Sequence, residues 1–472
     1  MRSKNSIPIH VLLIGLGLFA LYRAINLSIT YDEVYTFEIS QKALSTIMFD
    51  ANEFNTANNH VLNSLLIKLS VGLFGHHVWS LRLPNVLSFL VYGYSVFFLS
   101  RRLSPSPISQ FFITAILCGM PYVFDFFSLA RGYGLAMAFQ ALSIAGVVAY
   151  FSQDGSSKKF LWVAFSAAFF SVWANFTWLN FYCALWGCIN LIALLNSNFL
   201  DKKSLLYWVK LNIPPLVLSI VTFCFCYLPL SYLQDSNEFR WGAPDLNAAL
   251  DKFLYNLSYI TNDDFKETVE TAVCFVLSLG LFRFFVFKKR RTAPTTQLFI
   301  FLPLLVIVIA VIENRSLGVM YMEDRKALML FLMLGLLCVR ALSGFKIKVL
   351  NPLLLGLLFL THTYFVLPYF NTLVVREWYR DEFSKEAANF MSRFQPAERG
   401  GVGVSFGMNS SLKYYDKYEY NNQIAPKLLS DFRKDEPPMF YFLTPDDLNL
   451  LPSDYHKVWQ RKSYTIWKKQ SE

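Results

Sequence analysis

The chain has 472 residues, 54% of them hydrophobic and only 16% charged. A soluble domain carries about 25% charged residues, so this composition excludes an ordinary soluble enzyme and points to the bilayer. The net charge of +10 does not indicate nucleic acid, because the basic residues collect in short loops between apolar runs.

A bilayer core about 30 Å thick needs roughly 20 apolar residues in a helix. Runs that read as spans lie at 9–27, 83–100, 107–124, 133–151, 160–175, 178–196, 205–231, 270–287, 298–313, 327–342 and 349–367, eleven in all. No cleavable signal peptide is evident, because Arg23 and Asn26 follow the first apolar core without a small-residue cleavage site. Basic groups stand at every second turn: Arg2 and Lys4, Arg101 and Arg102, Lys158 and Lys159, Lys202 and Lys203, 288–291, then Arg340, Lys346 and Lys348. The positive-inside rule places all of them in the cytoplasm. The loop 233–268 carries seven acids against three bases, which suits the outer side. All seven cysteines lie in or beside apolar runs, which argues against a disulfide framework or a cysteine metal site.

Parity settles two segments. Basic loops flank 160–196 on both sides, so it reads as a hairpin turning near Asn175, Phe176 and Thr177. The run 61–75 reads as a surface helix, because a further crossing would put Arg101 and Arg102 outside. His60, Ser64 and Lys68 recur on one face of it, with leucines opposite. The polar tail 368–472 shows helical patterning over 378–394. Strand-like runs follow at 402–406, 439–443 and 464–467. The reading is a membrane domain over 1–367 and a small extracytoplasmic α/β domain over 368–472.

On this map the polar groups gather on one face. Asp32 and Glu33 follow the first span; Asn58, Asn59 and His60 open the surface helix; Arg82 ends it. Asp125, Arg131 and Tyr133 lie at one outer turn, and Glu313, Glu323, Asp324 and Arg325 at another. Ionisable groups at membrane depth are functional candidates by default. Each also has a plainer reading: solvated loop charges for the acidic pair, a snorkelling anchor for Arg82, a structural pair for Arg131 with Asp125. Arginine suits a lipid phosphate through its planar fork, and a carboxylate suits proton abstraction from a hydroxyl.

Five short motifs carry a resemblance. They are Tyr31-Asp32-Glu33, Asn58-Asn59-His60-Val61-Leu62, Ser80-Leu81-Arg82-Leu83-Pro84, Ala130-Arg131-Gly132-Tyr133 and Glu323-Asp324-Arg325-Lys326-Ala327-Leu328. In this order they resemble the GT-C superfamily of membrane glycosyltransferases, and most clearly bacterial glycosyltransferase-39-like proteins. That group is related to protein O-mannosyltransferases and lipid A aminoarabinose transferases. Val61 departs from the pattern, where the family often has proline. The resemblance implies an α-helical polytopic GT-C-like fold in a bacterial inner membrane, with the site on the extracytoplasmic side. It implies inverting transfer of a sugar from a polyprenyl-phosphate donor to a hydroxyl on a lipid, glycan or protein. Asp32 would be the general base. Glu33 would orient the site or help hold a divalent cation, magnesium or manganese. Asn59, His60, Lys68, Arg82, Arg131, Tyr133 and Arg325 would bind substrate, with Arg131 and Arg325 foremost at the phosphate. A transporter or lipid flippase is the alternative; it predicts charges within spans and repeat symmetry, and neither is evident. A non-catalytic scaffold is a third reading.

Overall fold

The computed structural model describes residues 6–153, 157–196, 202–258, 293–343, 349–394, 401–432 and 437–470. The expected span at 270–287 lies outside them. The helices run α1 Ile7–Asn26, α2 Tyr31–Ser40, α3 Leu44–Phe49, α4 Val61–Phe74, α5 Val78–Leu103, α6 Pro107–Cys118, α7 Pro121–Asp125, α8 Tyr133–Ser152 and α9 Lys159–Ala174. They continue as α10 Leu179–Asn196, α11 Lys202–Asp235, α12 Leu246–Ser258, α13 Pro294–Leu317, α14 Leu328–Ser343, α15 Leu350–Val366, α16 Ser384–Met391 and α17 Phe406–Tyr418.

Eight helices among the described residues are long and apolar enough to cross a membrane, and they match eight of the eleven expected spans. Two expected spans are shorter. The run 107–124 breaks at Gly119 and Met120 into α6 and α7, and the run 160–175 forms the 16-residue α9. The hairpin α9–α10 does turn at Asn175, whose side chain accepts from the Thr177 N–H.

The outward faces explain why these helices need lipid. On α1, Ile7, Val11, Ile14, Leu18, Tyr22 and Ile25 are exposed, while Ile9, Leu13, Ala20 and Ala24 are buried. That spacing is one helical stripe, apolar and facing away from the protein. Leu353, Leu357, Leu360 and Tyr364 repeat the pattern on α15. Such stripes belong to an integral membrane protein. The surface helix α4 buries Val61, Leu62, Ile67 and Val71, and polar residues with them. Asn63, Ser64 and Ser70 are buried under it, and Leu69, Leu73 and Phe74 are exposed.

The tail builds a five-stranded sheet from β1 Val402–Val404, β2 Pro426–Leu428, β3 Phe440–Leu443, β4 Tyr455–Arg461 and β5 Tyr464–Lys469. The order is β2-β1-β3-β5-β4, parallel on one side of β3 and antiparallel on the other. The helix α17 that links β1 to β2 is an addition to the sequence reading. Its Met408 and Leu412 join Phe440 and Ile466 in one apolar cluster with Val34 and Phe37 of α2 and Ile67 and Val71 of α4. The sheet domain therefore sits directly on the first loop and fixes α2 in place.

Candidate functional site

The site starts at the N-terminus of α2. Thr30 and Glu33 form a capping box: the Thr30 hydroxyl accepts from the Glu33 N–H at 3.3 Å, and Glu33 accepts from the Thr30 N–H at 3.0 Å. Helical geometry then fixes Asp32 in the first turn, pointing away from Glu33.

Glu33 and Arg82 form a fully buried pair. Arg82 donates from Nε and Nη2 to the two Glu33 oxygens at 2.8 and 2.7 Å. Its other donors go to the carbonyls of Ala24, Leu27 and Ser28 at the end of α1. All five guanidinium donors are thus engaged. Glu33 also accepts from the Ala130 N–H at 2.6 Å, so each of its oxygens carries two hydrogen bonds. The pair ties together α1, α2, α5 and the turn before α8. Neither residue presents a free group to a ligand. The expectation of a cation at Glu33 does not fit this saturated carboxylate, and the described residues hold no cluster of three His, Cys, Asp or Glu side chains suited to a metal.

Asp32 stands differently. Its Oδ2 lies 3.5 Å from Nη2 of Arg131 and 3.4 Å from Nη2 of Arg325. These separations exceed the 2.7–2.9 Å of a closed charge-assisted hydrogen bond. Both arginines are anchored by other groups. Arg131 donates to the Asp32 carbonyl at 3.1 Å, to Thr36 Oγ1 at 2.8 Å and to Asn58 Oδ1 at 2.9 Å. Its Nε has no partner among the described residues. Arg325 donates to Glu377 at 3.0 Å and lies over the Trp378 ring. Tyr122 donates to the other Glu377 oxygen. Burial raises the Glu377 carboxyl above the usual range, and Arg325 and Tyr122 oppose the rise.

His60 caps α4 without using its side chain. The ring is buried edge-on against Tyr133 at 5.1 Å, and its Nε2 has no partner among the described residues. Burial, then the charges of Arg131 and Arg325, hold its pKa well below the usual value, so the imidazole is neutral. Gly132 makes this approach possible. A Cβ there would lie 2.1 Å from the Ala174 carbonyl and 2.7 Å from the His60 Cβ. His60, Tyr133 and Lys326 line a cavity of about 560 Å³ that extends between α10, α11 and α13.

Two expected ligand contacts have structural partners instead. Asn59 lines the cavity but donates to the Ile47 carbonyl at 2.9 Å and accepts from Ser64. Lys68 donates to the carbonyls of Ser40, Gln41 and Lys42, at the far end of α2. That is roughly 12 Å along the helix from Asp32, at 1.5 Å per residue. Asp125 pairs with Arg23 at 2.6 Å, not with Arg131.

Sequence reading missed Glu377, Tyr122, Arg23 and Asp381. The run 376–381 is dense in charge just beyond a span, and that was its one signal. Asp381 joins the two domains: it accepts from the Tyr31 N–H at 2.9 Å and from Ser411 at 2.5 Å. Burial pushes its carboxyl up to about 7, and the Glu33 and Asp32 charges add to the rise. A folded pKa above the ordinary value of about 3.9 gives stability that is complete at low pH and is lost as pH rises through about 7. The melting temperature is expected to fall between pH 4 and pH 7, and Asp381→Asn is expected to flatten that slope. An unchanged slope in the variant would assign the pH dependence to another group.

No family model matches the sequence, and no curated protein matches it. Among solved structures, ArnT from Cupriavidus metallidurans in the apo state aligns with a TM-score of 0.50 and 11% identity, over 97% of each chain. The same protein bound to undecaprenyl phosphate aligns with a TM-score of 0.49, again at 11% identity and 97% of each chain. At that identity the apo-state likeness speaks for architecture alone: with the helices and sheet described above, this chain has the fold of ArnT.

Proposed function

We propose that this protein is a GT-C-type glycosyltransferase that moves a sugar from a polyprenyl-phosphate donor to a hydroxyl acceptor. One observation carries the reading: the Asp32 carboxylate lies between two arginines that are held by other partners, and the charge of Arg325 acts on His60 and Tyr133 of the cavity wall. The acceptor hydroxyl gives its proton to Asp32 as its oxygen attacks the anomeric carbon. The bond from that carbon to the phosphate oxygen breaks, and its electron pair leaves with the lipid phosphate. Attack opposite the leaving group inverts the centre. Arg131 and Arg325 sit where they can stabilise the departing charge, and their fixed positions mean little reorganisation during the step. Glu33, with two hydrogen bonds on each oxygen, has no lone pair left to bind a metal.

A transfer assay with purified protein and a panel of polyprenyl-phosphate sugars, read by mass spectrometry, tests the reading. Arg131→Ala and Arg325→Ala are expected to weaken donor use by about tenfold or more, as a lost hydrogen bond to a charged group would. Lysine should recover only part, because it lacks the bidentate fork. Wild-type kinetics in both alanine variants would remove the arginines from the mechanism.

The proposed orientation puts the site and sheet domain on the extracytoplasmic side of the inner membrane. A cysteine replacing exposed Lys413 should react with an impermeant maleimide in intact cells, and one replacing Lys158 should not. The opposite labelling pattern would invert the map.

A further inference from the structure

The cavity beside His60 contains groups that an oily groove would not keep. Phe176, Trp186 and Phe223 make much of its wall. Yet Glu313 stands in it, near the end of α13, a helix apolar enough to cross the bilayer. Asn180 donates to one Glu313 oxygen at 2.7 Å, and no described residue donates to the other. Asn175 Nδ2 and His60 Nε2 also belong to this wall and have no partner among the described residues, although each residue is only 4% exposed. An ionisable group on an apolar helix is costly unless it is paired, and buried polar atoms ordinarily find partners.

These groups define the chemistry of the guest. A prenyl chain has neither donor nor acceptor and would leave all three unsatisfied. A sugar ring has the partners they lack: one hydroxyl can donate to the open Glu313 oxygen, another can accept from Asn175, and the C–H faces can pack on the aromatic rings. His60, being neutral, can donate or accept according to its tautomer. The position also fits, since the same cavity reaches His60 and Tyr133, on which the charge of Arg325 acts.

We propose that this cavity is a saccharide-binding subsite, in which Glu313, held by Asn180, selects the sugar carried by the lipid phosphate. The subsite rests on the donor reading above and extends it to the residues that choose among sugars. Hydrogen-bonding sites reject analogues that lack the matching hydroxyl far better than apolar pockets do, so the discrimination resides in Glu313 rather than in the aromatic wall.

The test is binding to the purified full chain in lipid nanodiscs. The probes are undecaprenyl phosphate without sugar and the same lipid carrying glucose, galactose, mannose, N-acetylglucosamine or arabinose. In the wild type, at least one sugar-bearing lipid is expected to bind about tenfold or more tighter than the sugar-free lipid. Glu313→Gln should abolish that advantage and leave the sugar-free lipid unchanged. Ala310→Phe fills the same cavity from α13 and should do likewise; it decides the matter if Glu313→Gln fails to fold. A sugar advantage that survives both variants overturns the proposal. So does a panel in which no sugar improves binding. Equal weakening of the sugar-free lipid would make this the carrier's own groove, which also overturns it. If undecaprenyl phosphate does not bind the wild type at all, the donor reading itself falls, and the subsite falls with it.

Discussion

Asp32→Asn is expected to lower turnover of a polyprenyl-phosphate sugar by about 10²–10⁴-fold, the usual range for loss of a general base. Asparagine keeps the shape of the side chain but cannot take a proton from the acceptor hydroxyl at neutral pH. Donor affinity should change much less, because the proton moves only as the transition state forms. Folded yield should also hold. The carboxylate makes no closed ion pair, and Arg131 and Arg325 keep their bonds to Asn58, Thr36 and Glu377. The measurement is kcat together with donor Kd and yield for the purified variant. Wild-type turnover by well-folded Asp32→Asn protein would sink the catalytic assignment and favour the transporter reading.

The neighbouring acid should behave in the opposite way. Glu33→Gln and Arg82→Ala each leave one member of a fully buried pair without its counter-charge. Removing one partner of such a pair typically costs about 3–5 kcal/mol. The loss is larger in consequence here because the pair also caps the end of α1 through Ala24, Leu27 and Ser28 and holds the turn at Ala130. Both variants are expected to lose folded yield and melting temperature before any kinetic constant can be read. A stable Glu33→Gln protein with a selective loss of turnover would return Glu33 to the chemistry, as an orienting group or a metal ligand. Adjacent residues thus have separable readouts: rate for Asp32, stability for Glu33.

The contrast between them was partly legible beforehand. Thr30 and Glu33 stand three apart, as a capping box requires, and that pattern announces a helix starting at Tyr31. A helix there turns Asp32 and Glu33 to different sides by about 100° per residue, which is enough to give them different partners. The tail was harder. Its strands at Val402–Val404, Phe440–Leu443 and Tyr464–Lys469 are apolar enough to be seen, whereas β2 is three residues long and starts with proline.

The sequence by itself determined the membrane architecture. Apolar runs must be long to cross a bilayer, and these local properties survive without knowledge of neighbours. The resemblance drew attention to Asp32, Arg131 and Arg325, and the fold brings Asp32 within 3.5 Å of one arginine and 3.4 Å of the other. Only the tertiary structure decided which charges face each other. Arg82 and Lys68 looked like ligands, but a guanidinium with five partners and an ammonium on three carbonyls are already satisfied. Glu377 carried no motif, yet it holds Arg325 in place. Hydrogen bonds and ion pairs act over a few ångströms in space, and residues 325 and 377 meet only after the helices between them have packed.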